Sequence, residues 1–266
     1  MIAFMRENSF WRNYEPTLVG GGFFLAIVLV WEAVARFGLV DPALVSAPSR
    51  IVKVAAELLP DPEFWRDLSV SAREFAVGYV SAVLVGIPLG LLIGISRRFQ
   101  YLLGPLVDTL NTVPRITLLP LLVIWFGIGI WSKIAVVLLG AVIPIVISTQ
   151  AGVHANEKRL VKVAQSFGAS SLKIFQSIVL PGAVPFIFTG LKYGAGRALL
   201  GVVVGELYAA TAGVGHMIVN AGNSFQIDIV FLGVFLFTAA GLVTNAVLNH
   251  LERRFEKWRP PVGAAA

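Results

Sequence analysis

Five charged residues, Glu32, Arg115, Lys192, Arg197 and Glu206, sit in or beside long apolar runs. A charge at the centre of a bilayer costs about 2.5–3.5 kcal/mol on insertion scales, so each must face protein or water. Arg115 follows Pro114 and stands beside Asn111 and Thr112. That is a cationic, hydrogen-bonding patch suited to a small anion in passage. The same arginine can equally anchor the inner membrane interface, and both readings stand. Lys192 can snorkel toward the cytoplasmic side. Glu32 and Glu206 lie near outer span ends, where a structural role is the simpler one. Arg197 is deeper: it pairs with a carboxylate, bonds backbone carbonyls, or lines a route. Asn111, Thr112, Arg115, Arg197 and Glu206 are together the substrate-pathway candidates.

Covalent chemistry has little to work with. The chain has no cysteine, hence no thiolate metal site and no cysteine nucleophile. Its three histidines, His154, His216 and His250, are too scattered for a metal centre. There is no H-E-x-x-H helix, no serine elbow and no pair of carboxylates near an interface. There is also no G-x-x-x-x-G-K-[ST] loop, so the chain does not bind ATP in that manner itself. A membrane enzyme is the weaker class; transport is the stronger.

The elements that must position these charges are membrane spans. The 266 residues are 57% hydrophobic and 14% charged, with mean hydropathy +0.81. A soluble domain carries about 25% charged residues. The net charge of +6 does not point to nucleic acid, because the basic residues cluster at the ends of apolar runs. A spanning helix needs about 20 apolar residues, and six segments qualify: 17–37, 74–96, 101–127, 131–152, 184–207 and 228–249. The third is expected to be broken by Pro105, Pro114 and Pro120, and its middle is polar. Broken helices with exposed backbone tend to line translocation routes. Leu18 to Trp31 followed by Ala33-Val34-Ala35 has the outline of a cleavable signal. Glu32 and the polar lead with Glu7 and Glu15 favour a retained span. The outline is a tail of 1–16, a membrane domain of 17–250 and a second tail of 251–266.

Basic residues in short loops set orientation. Arg6, Arg12, Arg97, Arg98, Lys158, Arg159, Lys162, Lys173, Arg253, Arg254, Lys257 and Arg259 fall on one side. Arg50, Lys53, Arg66 and Lys133 fall on the other. Twelve against four places both termini and segment 153–183 in the cytoplasm, with loops 38–72 and 208–227 outside. Gly86/Gly90/Gly94, Gly190/Gly194 and Gly201/Gly205 form small-residue stripes that let helices approach closely. Packing within one subunit is the simpler use for them.

Segment Ala155–Pro181 is the polar exception. Leu160, Val163, Ala164 and Phe167 share one helical face, with Lys158, Arg159, Lys162 and Gln165 around the rest. Gly168 ends that pattern, Ser170 or Ser171 can cap a second short helix, and Pro181 stops it. A two-helix corner results. From periodicity alone it serves equally as a docking element for a soluble partner or as a helix lying on anionic lipid.

Gly168, nine residues, then Ile178-Val179-Leu180-Pro181 resembles the cytoplasmic signature of bacterial ABC-transporter importer permeases. That motif opens Glu-Ala-Ala; here Lys162, Val163 and Ala164 stand there, without the acid. Leu44–Ile51, Val113–Gly129, Leu180–Leu191 and Gly196-Arg197-Ala198 are similar to the nitrate/sulfonate/taurine branch. The likeness runs from about residue 25 to 258. It implies an all-α integral membrane protein with six transmembrane helices, the type I ABC importer permease fold, and a cytoplasmic coupling helix. It implies an inner-membrane permease without its own ATPase site, acting as a homodimer. The partners implied are two ATPase subunits, which carry ATP and Mg, and an extracytoplasmic binding protein received by the outer loops. Lys162, Ala164, Phe167, Gly168, Ala169, Leu172, Ile178, Leu180 and Pro181 would form the ATPase-coupling contact. Alternating access would carry a small anion of sulfonate, taurine or nitrate type, or else a pyrimidine-type thiamine precursor. A stand-alone secondary transporter is weaker still, since it leaves the Ala155–Pro181 corner without a use.

Overall fold

In lipid a backbone must satisfy its own hydrogen bonds, which leaves helices or closed barrels. The computed structural model describes residues 9–155 and 158–255, and every regular element among them is helical. Arg6, Lys257 and Arg259 lie outside the described residues, as do the side chains of Arg12, Arg115, Lys158 and Arg159. The chain divides into two units: residues 1–62 with 218–234, and residues 63–217 with 235–266.

The first unit holds α1 (Ser9–Arg36) and α2 (Pro48–Leu58), and α11 (Ile227–Arg253) begins in it. Leu18–Arg36 is long and apolar enough to span. Glu32, which the sequence places near an outer end, has a definite partner there. It accepts the Ser49 N–H at 3.0 Å and the Ser49 hydroxyl at 2.7 Å. This carboxylate caps the start of α2, whose own residue Ala47 offers no side-chain acceptor. Asp228 in turn accepts the Ser46 hydroxyl at 2.6 Å and pairs with Arg50 at 3.1 Å.

The second unit is organised around α6 (Ile130–His154), which packs along α9 (Leu180–Ala209). The glycine stripes explain how. A Cβ at Gly86, Gly90 or Gly94 of α3 (Pro62–Ile95) would come within 2.6–2.9 Å of Ile145, Thr149 or Val153 of α6. Gly190, Gly194 and Gly201 of α9 meet Ser148, Ile145 and Val137 from the other helix in the same way. Bare backbone on both sides lets α6 sit between two helices at close range. Ala82, Val137, Ala141, Ile145 and Val202 form the core there.

Several expected breaks do not occur. Pro105 lies inside α4 (Arg97–Thr112), because one missing N–H bends a helix without ending it. The break falls at Val113-Pro114, followed by a 3₁₀ turn, Arg115–Leu118, and by α5 (Leu119–Phe126) with Pro120 in its first turn. Five helices among the described residues are long and apolar enough to span, and the α4 and α5 runs, bent by 92° at the break, make a sixth candidate if the pair is one span. Pro181 does not stop the second coupling helix. It directly follows the π turn Phe175–Val179, where the widened hydrogen-bond register has already interrupted the α-helical ladder, and the helix continues through it. α8 (Ser171–Ile174), a π turn (Phe175–Val179) and α9 therefore run on as one helical stretch, Ser171–Ala209. The 74–96 span is the inner part of a helix that begins at Pro62. The 208–227 loop contains a helix, α10 (Val214–Asn223).

Candidate functional site

The polar corner has the geometry its glycine predicts. α7 (Lys158–Ser166) ends in a Schellman cap. The Gly168 N–H donates to Gln165 O at 2.9 Å, and the Ala169 N–H donates to Ala164 O at 3.0 Å. Gly168 has φ +75°, the left-handed region that glycine enters without steric penalty. Ser170 is the cap of α8 and accepts the Lys173 N–H at 3.3 Å. The corner leaves Phe167 87% and Leu172 64% exposed, with Leu160 and Val163 beside them. Lys162 is exposed as well, while Ala164, Ala169, Ile178, Leu180 and Pro181 are half-buried.

A cavity of about 530 Å³ opens between α4, the bend, α6 and α9. Asn111, Thr112 and Arg197 line it, as the sequence proposes, together with Ser148, Tyr193 and the Val113-Pro114 backbone. The side chain of Arg115 lies outside the description. Arg197 makes no hydrogen bond or ion pair among the described residues, so neither carboxylate nor carbonyl holds it there.

Glu206 does not line that cavity and is corrected on this point. It is only 1% exposed. One oxygen accepts the Ser71 hydroxyl at 2.6 Å and the other accepts the Gly215 N–H at 2.6 Å. Ser71 Oγ accepts the Val214 N–H at 2.8 Å, and Asp67 accepts the Gly213 N–H at 2.9 Å. Three acidic or hydroxyl side chains thus take the unpaired amides at the start of α10, where negative charge also suits the helix dipole. Lys133 is likewise not a loop charge. It is buried in the first turn of α6 and ion-paired with the fully buried Glu74 of α3. Glu206 lies within electrostatic reach of both. Lys192 pairs with Glu252 at 2.6 Å.

A family model described as a binding-protein-dependent transport system inner membrane component matches residues 86–257, which span α7, the Gly168 corner and the cavity helices. The chain belongs to this family. Members of it are permease subunits of ABC importers, so the family as named depends on a binding protein and, as an ABC importer family, implies an ATPase. The chain is 33% identical over 257 residues to the taurine transport system permease protein TauC of Escherichia coli, covering 95% of this chain and 94% of the relative. It is 33% identical over 233 residues to a protein of Bacillus subtilis named as the aliphatic sulfonates transport permease SsuC, covering 88% and 84%. In fold it is similar to the MetNI methionine ABC transporter in an inward-facing form, with TM-score 0.59 at 18% identity over 71% of this chain and 98% of that one.

In this permease, sequence reasoning finds the corner and three cavity residues. It misses Ser148, Tyr193, Glu74, Ser71 and Asp67. Glu74 carried a usable signal: an acid at the head of the apolar run of α3 calls for a partner. Nothing local names Lys133 as that partner.

Proposed function

We propose that this chain is the permease of an importer for taurine and related alkanesulfonates, and that the Gly168 corner couples it to ATP hydrolysis. Two copies of the chain would share one route, each bearing an ATPase subunit that holds ATP and Mg. An extracytoplasmic binding protein would deliver the cargo at the outer loops. The cargo class is supported by the likeness to the taurine and aliphatic sulfonate permeases. Coupling rests on one observation: the exposed Leu172 of the corner and the cavity-lining Tyr193 and Arg197 belong to a single helical stretch, Ser171–Ala209. A push at Leu172 therefore moves the cavity wall as a rigid body.

The corner, both termini and the α7 face would lie in the cytoplasm. With the buried Lys133 set aside and Arg36 and Arg73 counted, the outer side carries five basic residues against twelve inside. That bias keeps the same orientation. The membrane would bear on the exposed apolar faces of the spans.

The test is reconstitution of this permease with the ATPase and binding protein of the same organism in proteoliposomes. ATP-dependent uptake of taurine or ethanesulfonate is the expected result. An assembled complex that hydrolyses ATP but takes up neither, or takes up a pyrimidine instead, overturns the cargo reading. A permease that purifies without any ATPase when the two are co-expressed overturns the coupling reading.

A further inference from the structure

We infer that Arg197 is the contact point for the anionic head of the cargo during its passage, so that this chain, and not the binding protein alone, selects its cargo by charge. The inference rests on the permease reading above and goes beyond it by naming the ligand class and the recognising residue.

The first observation is a contrast among the charges in the apolar segments. Glu32 has Ser49, Lys133 has Glu74, Lys192 has Glu252, and Glu206 has Ser71 and Gly215. Each is compensated within the chain, as a charge at membrane depth must be. Arg197 is exposed to the cavity and has no such partner among the described residues. Asp108 does not line the cavity and does not supply one. A guanidinium left in that position keeps its five donors available to water and to whatever passes.

Depth is the second observation. Arg197 lies 17 residues after Leu180 and 12 before Ala209. At 1.5 Å per residue this is about 26 Å and about 18 Å from the two ends of α9. The guanidinium therefore sits near mid-membrane, where a passing ion has lost most of its water and an opposite charge matters most.

Third, the base of the side chain is fixed. A Cβ at Gly140 would stand 3.0 Å from the Arg197 carbonyl oxygen, so α6 backs directly onto the arginine's own backbone. The arginine is aimed from a rigid helix into the cavity rather than from a loop. Around it, Asn111, Thr112, Ser148 and Tyr193 supply neutral hydrogen-bonding groups.

The chemistry this set recognises is a tetrahedral oxyanion. The planar fork of a guanidinium offers two parallel N–H bonds to two oxygens of such a group. Hydroxyl and amide donors can take the third. An alkanesulfonate keeps its charge at every physiological pH, so a fixed arginine reads it without a proton change. One cation with neutral neighbours also suits transit: the ion must be held well enough to enter and loosely enough to leave.

The test is equilibrium dialysis of labelled taurine against the purified permease–ATPase complex without its binding protein, alongside uptake in proteoliposomes with it. The wild-type complex is expected to bind taurine weakly, and a neutral analogue lacking the sulfonate is expected not to compete. Arg197→Gln should lower affinity by about tenfold or more, as the loss of a charge-assisted contact does. Arg197→Lys, which keeps the charge without the fork, should lose less. Tyr193→Phe should give a smaller loss of the same kind. Gel filtration confirms that each variant is assembled, and Arg197→Lys carries the test should the glutamine variant not assemble. Wild-type uptake of taurine with no binding to the permease complex overturns the inference, as does an assembled Arg197→Gln complex whose affinity stays within about twofold of wild type, or, should that variant not assemble, an Arg197→Lys complex whose affinity equals wild type. A wild-type complex that takes up no sulfonate at all overturns the cargo reading of the preceding section instead.

Discussion

Glu206 accepts the backbone N–H of Gly215, nine residues away, at 2.6 Å, inside a site that excludes solvent. Its other oxygen holds Ser71 of α3. The carboxylate thereby fixes where α10 begins relative to α9 and α3. A Cβ at Gly213 would run into the same carboxylate, and one at Gly215 would stand 2.6 Å from Glu206 Cβ. The turn and the acid are fitted to each other. Glu206→Ala leaves the buried Gly215 amide and the Ser71 hydroxyl short of an acceptor. The expected loss is about 3 kcal/mol, read as a fall of about 6–12 °C in the melting temperature of the detergent-solubilised protein. Glu206→Gln keeps an acceptor oxygen and should fall by less than half as much.

The Lys133–Glu74 pair joins the first turn of α6 to α3 with both side chains buried. Breaking such a pair from one side strands a charge, at about 3–5 kcal/mol. Replacing both members by apolar residues of similar size is often near neutral. Lys133→Met and Glu74→Leu should each be strongly destabilising, and the double variant should recover most of the loss. Thermal unfolding of the three proteins forms the cycle. Additive losses would show that the two residues do not act as a pair.

How far the sequence could carry this follows from what each feature depends on. Spans are legible because apolarity over about 20 residues is a local property. The Gly168 corner is legible for the same reason: amphipathic spacing, a residue able to take positive φ, and a serine cap all lie within fifteen residues. The Glu74–Lys133 pair joins residues 59 apart, and Ser71–Glu206 joins residues 135 apart. No local pattern encodes those pairings, so Lys133 reads as a loop charge and Glu206 as a pathway residue. Proline misleads in both directions. Its effect depends on the backbone bonding around it, which at Pro181 the preceding π turn has already rearranged.

The α3 stripe gives a steric prediction. A Cβ at Gly90 would stand 2.7 Å from Val146 O and 2.6 Å from Thr149 Cβ. The backbone oxygen cannot rotate away as a side chain could. Gly90→Val should push α3 from α6 and destabilise by about 1–3 kcal/mol or more. Gly21→Ala, where nothing lies within 4 Å and alanine is the better helix former, is the control and should not lower the melting temperature. Equal losses at both sites would mean that close packing is not what the α3 glycines provide.

Gly168 separates backbone from bulk. Nothing among the described residues lies within 4 Å of a Cβ built there, so the demand on this position is its φ of +75°. A β-branched residue strains in that region by about 1–2 kcal/mol, whereas asparagine tolerates it. If the corner works only by holding α7 and α8 at their angle, Gly168→Asn should keep uptake near wild type. Gly168→Val should then lose it while the spans stay folded. If the corner also seats in a tight groove on the ATPase, asparagine adds bulk at the contact and should lower uptake or complex yield as well. The comparison of the two variants, by co-purification of the ATPase and by ATP-driven uptake, tells cap from contact. Normal yield and uptake in Gly168→Val would remove the corner from coupling altogether. That outcome would leave the exposed Phe167, after α7, and the exposed Leu172, at the start of the helical stretch that reaches Arg197, without the partner proposed for them.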